Sequence, residues 1–287
     1  MTDKKLYRSL EEINKDELVL EIINNIMEEI KDHKIIYQNE EQFQFDLAWR
    51  INKRIDETSN IQVLLECFSM TDKKMDNKNS RKKFFTDIIL SDEKGCFIPI
   101  ELKYKKQGIT TKVGKNKQKV VIGNDGAADL GKFDYLWDIH RIEQLKQKPK
   151  ENIEIEDGRL KCFVCGYAIM ITNDNSYWEI KEGSCADLMT LNRVIKEIRW
   201  QSVNGTQAKS IYTKEGKNYK KYFLSLIEDK ANVSGCEIEK RYLPLLDYDF
   251  SPIGSNKNII TIDNYECESY RGKAKNITIK AFVAKIK

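Results

Sequence analysis

The chain has 287 residues, 40% of them hydrophobic and 33% charged, with Lys and Arg outnumbering Asp and Glu by a net charge of +4. That length suits one large domain or two small ones with a sizeable core, and the mild basic excess permits a nucleic-acid partner without demanding one. No stretch approaches the ~20 apolar residues of a membrane span, and the start Met1-Thr2-Asp3-Lys4-Lys5 lacks the apolar segment of a secretory signal, so the expectation is a cytoplasmic protein with no membrane partner.

Taken in chain order, the first helix is predicted over residues 16–31, where Leu18, Ile22, Ile23, Ile26, Met27 and Ile30 recur at helical spacing and Asp16 can cap the start. A second is predicted over 40–57, with Phe43, Leu47, Ile51 and Ile55 repeating every four residues. Residues 61–68 read as a strand. The polar, Lys-rich stretch 71–83 reads as a loop or hairpin tip, and 84–90 as the next strand. Ser91-Asp92-Glu93-Lys94-Gly95 is a turn by composition, and 96–104 is the third strand of an antiparallel meander.

Residues 105–125, basic and Gly-containing, read as a long mobile loop. A helix follows over 128–147, carrying Leu130, Phe133, Ile139, Ile142 and Leu145, and a charged connector leads to the most apolar run of the chain, 163–171. Such a run is what a strand buried on both faces requires, so 160–172 is predicted as a central strand reached by a crossover helix and able to pair in parallel. Further on, 188–200 has helical composition, and 222–227, 240–247 and 276–286 have strand-like composition. No linker composition interrupts the chain, so the expected organisation is an α/β domain with a C-terminal elaboration.

Chemistry concentrates on two of these strands. Asp87 lies between apolar residues of one strand, while Glu101 and Lys103, two apart on the next, project from one face. Paired through the 91–95 turn, the strands bring Asp87 and Glu101 to one end. Two such carboxylates repel unless a cation lies between them, and hard oxygen ligands suit Mg²⁺ or Mn²⁺. The tripeptide Glu-x-Lys is by itself uninformative, because it recurs at Glu29-Ile30-Lys31, Glu179-Ile180-Lys181, Glu215-Gly216-Lys217 and Glu228-Asp229-Lys230. The residues alone therefore leave a metal site and a strand-end ion pair both open. Glu66, near the end of the first strand, reads as a solvated charge. Cys162-Phe163-Val164-Cys165 forms a CxxC within an apolar run, with no second pair or neighbouring His, and reads as buried core thiols.

Thr86-Asp87-Ile88-Ile89-Leu90 followed by Ile100-Glu101-Leu102-Lys103-Tyr104, in this order of elements, resembles the PD-(D/E)XK nuclease superfamily. Thr86 stands where the name-giving Pro would be. The resemblance covers roughly residues 34–177. It implies a restriction-endonuclease-like core over 34–178, with a mixed central sheet flanked by helices. An N-terminal helical segment, 1–33, would precede it, and a C-terminal α+β extension, 179–287, would pack on it. By the same resemblance Asp87 and Glu101 are metal ligands, joined by the carbonyl of Leu102. Lys103 is the catalytic lysine, and Glu41, on the preceding helix, is a further catalytic carboxylate. Lys105, Lys106, Lys112 and Arg141 become candidate nucleic-acid contacts, Arg141 alternatively pairing with Asp138 at i to i+3 spacing. The implied protein is a Mg²⁺- or Mn²⁺-dependent endo- or exonuclease acting on DNA, in a restriction, antiphage or mobile-element role, and able to act as a homodimer. The rival expectation is the same fold without catalysis, binding nucleic acid or protein.

Overall fold

Apolar spacing builds the N-terminal helical layer. The computed structural model describes residues 5–72, 82–125, 128–146, 153–154, 160–178, 257–269 and 271–287. The predicted first helix, 16–31, is α2 (Leu18–Lys31), and a short helix not expected from the sequence, α1 (Leu10–Lys15), precedes it. The break between the two falls at Glu17, whose φ of 54° is left-handed and stops helical continuation. The Ser9 side chain accepts from the Glu12 N–H and caps α1. Along α2, Leu18, Val19, Ile22, Ile23, Ile26, Met27 and Ile30 are buried, each stabilising the fold by roughly 1.5–3 kcal/mol. Helix α3 (Glu40–Asn52) begins where Asn39 accepts from the Gln42 N–H, and it ends before residue 57. Beyond Asn52 the backbone instead bridges to the N-terminal segment: the Tyr7 N–H donates to the Arg54 carbonyl at 2.7 Å, and the Asp56 N–H to that of Tyr7 at 2.9 Å.

The meander follows as predicted by alternation: β1 (Gln62–Asp72), β2 (Lys82–Ser91) and β3 (Cys96–Lys105), paired antiparallel. Between β2 and β3, Asp92 accepts from the Cys96 N–H at 2.9 Å and Gly95 takes φ +81°, a conformation glycine adopts without Cβ strain. β1 and β2 remain paired as far as Asp72↔Lys82, so strand extends into both ends of the stretch read as a loop.

The expectation of a long loop over 105–125 is corrected. That segment forms β4 (Ile109–Val113) and β5 (Gln118–Ile122), an antiparallel hairpin. The lysines hid an alternation that buries Ile109, Val120 and Ile122, and Gly114 at φ 74° with Lys117 at φ 48° turns the chain. Helix α4 (Ala128–Lys146) then crosses over. After the short β6 (Ile153–Glu154) and β7 (Cys162–Phe163), the chain enters β8 (Gly166–Thr172), buried at every position and parallel to β3. The stretches 188–200, 222–227 and 240–247 lie outside the described residues. The strand-like composition at 276–286 corresponds to β10 (Ala274–Ile286), which pairs with β8 and with β9 (Lys257–Ser269), a strand that sequence reading missed.

The result is an α/β fold with one mixed sheet in the order β5-β4-β9-β10-β8-β3-β2-β1-β6, with β7 also on β3. Helices α1, α2 and α3 pack on one face, against Ile88, Leu90, Ile98, Ile100, Leu102, Ile169 and Ile171. On the other face Leu145 of α4 clusters with Ile89 and Phe97, and the Tyr135 hydroxyl donates to the Ala168 and Phe282 carbonyls at 3.1 and 3.2 Å. The close approach of α4 to β8 is set at Gly166, where an added Cβ would lie 2.3 Å from Cγ2 of Ile142. Ile142 is β-branched and has little rotamer freedom in a helix. Gly166→Ala is therefore expected to cost about 1–3 kcal/mol in urea unfolding, whereas Gly123→Ala, with nothing within 4 Å of its Cβ, leaves the midpoint unchanged.

Candidate active site

The strands β2 and β3 pair from Ser91↔Phe97 to Ile88↔Ile100, and there their ladder stops. One residue further lie Asp87 and Glu101. Beyond this fork β2 stays with β1, while β3 pairs with β8 through Lys105↔Thr172. Side chains take over the vacated backbone bonds. Oδ2 of Asp87 accepts from the Leu102 N–H at 2.5 Å. Nε2 of Gln44 donates to the Asp87 carbonyl at 2.7 Å and to Oε1 of Glu66 at 2.8 Å. Glu66 is exposed and sits at φ 50° within β1, so the fork is bounded by a locally left-handed residue.

Across this fork runs a chain of charge. Glu101 is 2% exposed, and its Oε2 lies 2.5 Å from a guanidinium nitrogen of Arg141. The same nitrogen donates to Oδ1 of Asp138 at 2.9 Å. Oδ2 of Asp138 lies 2.9 Å from Nζ of Lys103, which also donates to the Leu102 carbonyl at 2.8 Å and lies 3.9 Å from Oε1 of Glu40. The other Glu40 oxygen accepts from the Tyr104 N–H at 2.7 Å. Asp138 and Arg141, three apart on α4, thus serve β3 from one side, and the first residue of α3 serves it from the other.

Four carboxyl groups share this space with two cations, and the imbalance appears in their proton affinities. Burial pushes Asp87 up to about 7; the charges of Asp138 and Glu40 push the same way, against Lys103 and the Leu102 N–H. Glu101 is raised well above the carboxylate range, first by burial and then by Asp138 and Asp87, with Arg141 opposing. Glu40 is raised by burial, against Lys103. Burial works against the Lys103 ammonium, but Asp138, Glu40, Asp87 and Glu101 together outweigh it and hold the proton on. Arg141 is likewise kept charged against its burial, by Glu101 and Asp138.

Among the described residues no group of three or more His, Cys, Asp or Glu side chains forms a ready-made metal cage. The donor set at the fork nonetheless suits Mg²⁺, which keeps several waters and needs only one or two carboxylates. Asp87 and Glu101 supply these, and Oε1 of Glu101 is a buried acceptor with no hydrogen-bond partner, an arrangement costly to leave unmet.

Asp87, Glu101, Lys103 and Arg141 are therefore brought together, with the Leu102 carbonyl held by Lys103. Glu41 is not: it is exposed, and Glu40 occupies the place expected of it. The reason is helical geometry. Glu40 and Gln44 are four apart and share a face, whereas one further residue rotates Glu41 away by about 100°. The Glu40-x-x-x-Gln44 spacing was the available signal, and it went unread. Arg141 faces Glu101 and Asp138 with its side chain 11% exposed, placing it inside the acid network. Lys105 is half-buried at the end of β3. Lys106 donates to the Gln38 carbonyl at 2.8 Å and lies 3.7 Å from Asp125, bracing a loop. Lys112 is exposed on β4, opposite Lys119 and separated from β3 by β9, β10 and β8, so it does not follow the site as a continuous basic track.

Comparison with protein-family models, with curated proteins and with solved structures gave no match.

Two predictions follow from the charges. Arg141→Met leaves Glu101 and Asp138 buried without their shared cation and is expected to cost about 3–5 kcal/mol at neutral pH; adding Glu101→Gln should recover much of it in a double-mutant cycle. Asp87 binds its proton more tightly folded, at about 7, than at the ordinary 3.8, so the stability it contributes is present below pH ~4 and is lost as the pH rises to ~7. In EDTA, Asp87→Asn should therefore raise the melting temperature at pH 8 and change it little at pH 4, because an Asn oxygen still accepts from Leu102.

Proposed function

We propose that this chain is a metal-dependent nuclease, built on a restriction-endonuclease-like core and hydrolysing phosphodiester bonds. The observation that carries the proposal is the convergence of Asp87, Glu101 and Lys103 where β2 and β3 part. The run α3–β1–β2–β3, then a crossover helix to a parallel β8, belongs to an α/β fold with a mixed sheet; the restriction-endonuclease-like core is part of the proposal. DNA is the substrate by analogy with the resembled family, in a restriction, antiphage or mobile-element setting. Cutting both strands of a duplex needs two such sites, which a homodimer supplies.

In this reading Asp87, Glu101 and the Leu102 carbonyl hold Mg²⁺ or Mn²⁺. When bound, the ion supplies Lewis acidity toward a phosphate oxygen and lowers the pKa of a water nucleophile. The chain's own residues divide the remaining work. Lys103 keeps its proton throughout the physiological range, so it acts as a fixed positive charge that donates to developing negative charge on phosphate, and it does not serve as a general base. Asp138 anchors Lys103 at 2.9 Å. Gln44 and the Leu102 N–H fix Asp87 from both ends, through its carbonyl and its carboxylate. Arg141 is the present counter-ion of Glu101, and a divalent cation competes with it.

A second reading has an observation of its own. Arg141 already pairs with Glu101, and Asp138 already engages Lys103, so these two contacts need no metal, as in a nuclease-fold module that binds nucleic acid but does not cut it. Titration calorimetry and cleavage assays on plasmid, linear and single-stranded DNA separate the two. The wild type is expected to bind Mg²⁺, more tightly as the pH rises through ~7 and Asp87 releases its proton; Asp87→Asn abolishes binding. Lys103→Met should retain the metal and lose about 10²–10³-fold in cleavage rate. Nucleic-acid binding with neither metal binding nor cleavage selects the second reading, and cleavage unchanged in Glu101→Gln and Lys103→Met overturns the first.

A further inference from the structure

The CxxC noted in the sequence does not act as a unit. Cys165 is buried, among the residues packed with α1–α3. Cys162 is exposed, which corrects its expected burial, and its register partner is Cys96 across the parallel β3–β7 pair. The two side chains are close enough that Cys162 helps raise the proton affinity of the Cys96 thiol, after burial. Neighbouring strands run about 4.8 Å apart, inside the ~4.4–6.8 Å between Cα atoms that a disulfide spans. Both backbones are clamped. The Cys96 N–H donates to Asp92 at 2.9 Å, the Lys161 and Cys162 N–H groups donate to the Gly95 carbonyl at 2.8 and 3.1 Å, and the Val164 N–H donates to that of Phe97 at 3.0 Å.

We propose that Cys96 and Cys162 form a hydroperoxide-reactive thiol pair that closes to an intrachain disulfide. The exposed Cys162 reacts first: its thiolate attacks one peroxide oxygen, the O–O bond breaks, and a sulfenic acid and one water (or alcohol) are formed. Cys96, half-buried beside it with its proton affinity raised first by burial, then gives its proton to the departing hydroxyl as its sulfur attacks the sulfenic sulfur, and a second water is released. Two thiols are oxidised and one peroxide is reduced. The bridge ties β7 to the first residue of the strand that carries Glu101 and Lys103, and it closes a long loop in the unfolded chain, where cross-links stabilise most. The assignment is independent of the nuclease reading.

The test treats the reduced full-length protein with hydrogen peroxide, then alkylates the remaining thiols and maps peptides by mass spectrometry. The expected product is ~2 Da lighter, has lost two of its seven alkylatable thiols, and joins Cys96 to Cys162 in one cross-linked peptide. Its melting temperature rises by roughly 5–10 °C, and dithiothreitol reverses both changes. Cys165→Ser keeps the bridge, whereas Cys162→Ser leaves Cys96 alkylatable. Over-oxidation of Cys162 to sulfinic acid with Cys96 still free, a bridge from Cys162 to any other cysteine, or an unreactive Cys162 in the folded wild type would overturn the proposal.

Discussion

The fork between β2 and β3 is the constraint from which the rest of this molecule is arranged. A strand that leaves its neighbour exposes N–H and C=O groups that must find partners if they are to stay buried. Here the Leu102 N–H finds the Asp87 carboxylate, and the Asp87 carbonyl finds Gln44. The side chains that repair the ladder are therefore the same ones that place a carboxylate beside Glu101. Satisfying the backbone and building the site are one act, and both depend on α3 being docked with Gln44 facing inward.

Once two carboxylates are held at the fork, the remaining charges are close to dictated. Taking Glu101 out of water is expensive, and its attraction to a nearby cation offsets that only with good geometry and further partners. The structure answers with alternation: Glu101, Arg141, Asp138, Lys103 and Glu40 follow one another by sign. Even so, the acids outnumber the bases, and the raised proton affinities of Asp87, Glu101 and Glu40 record the excess. Apolar residues of similar volume would stabilise the fold better than such a network does. In the proposed reading, a divalent cation would offset that excess negative charge.

How much of this was legible depended on the range of the interaction involved. Asp87, Glu101 and Lys103 could be read because strand alternation and one short turn fix their relation, and both are local. Arg141 and Asp138 could be paired with each other by helical spacing, but nothing local says that α4 lays them over Glu101. Glu41 failed by one residue: the helix start was placed correctly at 40, yet the facing position depends on how α3 docks. The β4–β5 hairpin was obscured because its lysines alternate with Ile109, Val120 and Ile122, and a tally of charge outweighed the period of two. Strand β9 carries Asp263, Asn264, Glu266 and Glu268 among its apolar positions, with Asn264 at φ 56°. A polar, kinked strand of this kind is defined by the long hairpin it makes with β10, and no short window contains that information.

The C-terminal hairpin also bears on the site, although it contributes no residue to it. β3 is held on one side by β2 only as far as Ile100, so beyond the fork its position rests on β8. β8 is in turn flanked by β10, which follows it from Gly166 to Thr172 and pairs onward with β9. Lys285 of β10, 7% exposed, closes this arrangement onto the helical layer through the Asn14 carbonyl at 3.1 Å and Glu17 at 3.2 Å. The left-handed break at Glu17, a small departure from the predicted helix, thereby supplies an acceptor that anchors the far strand. Glu101 and Lys103 can hold fixed positions on a strand that has lost one neighbour because the other, β8, is flanked by β10, which is itself supported by its hairpin partner β9 and by that buried lysine.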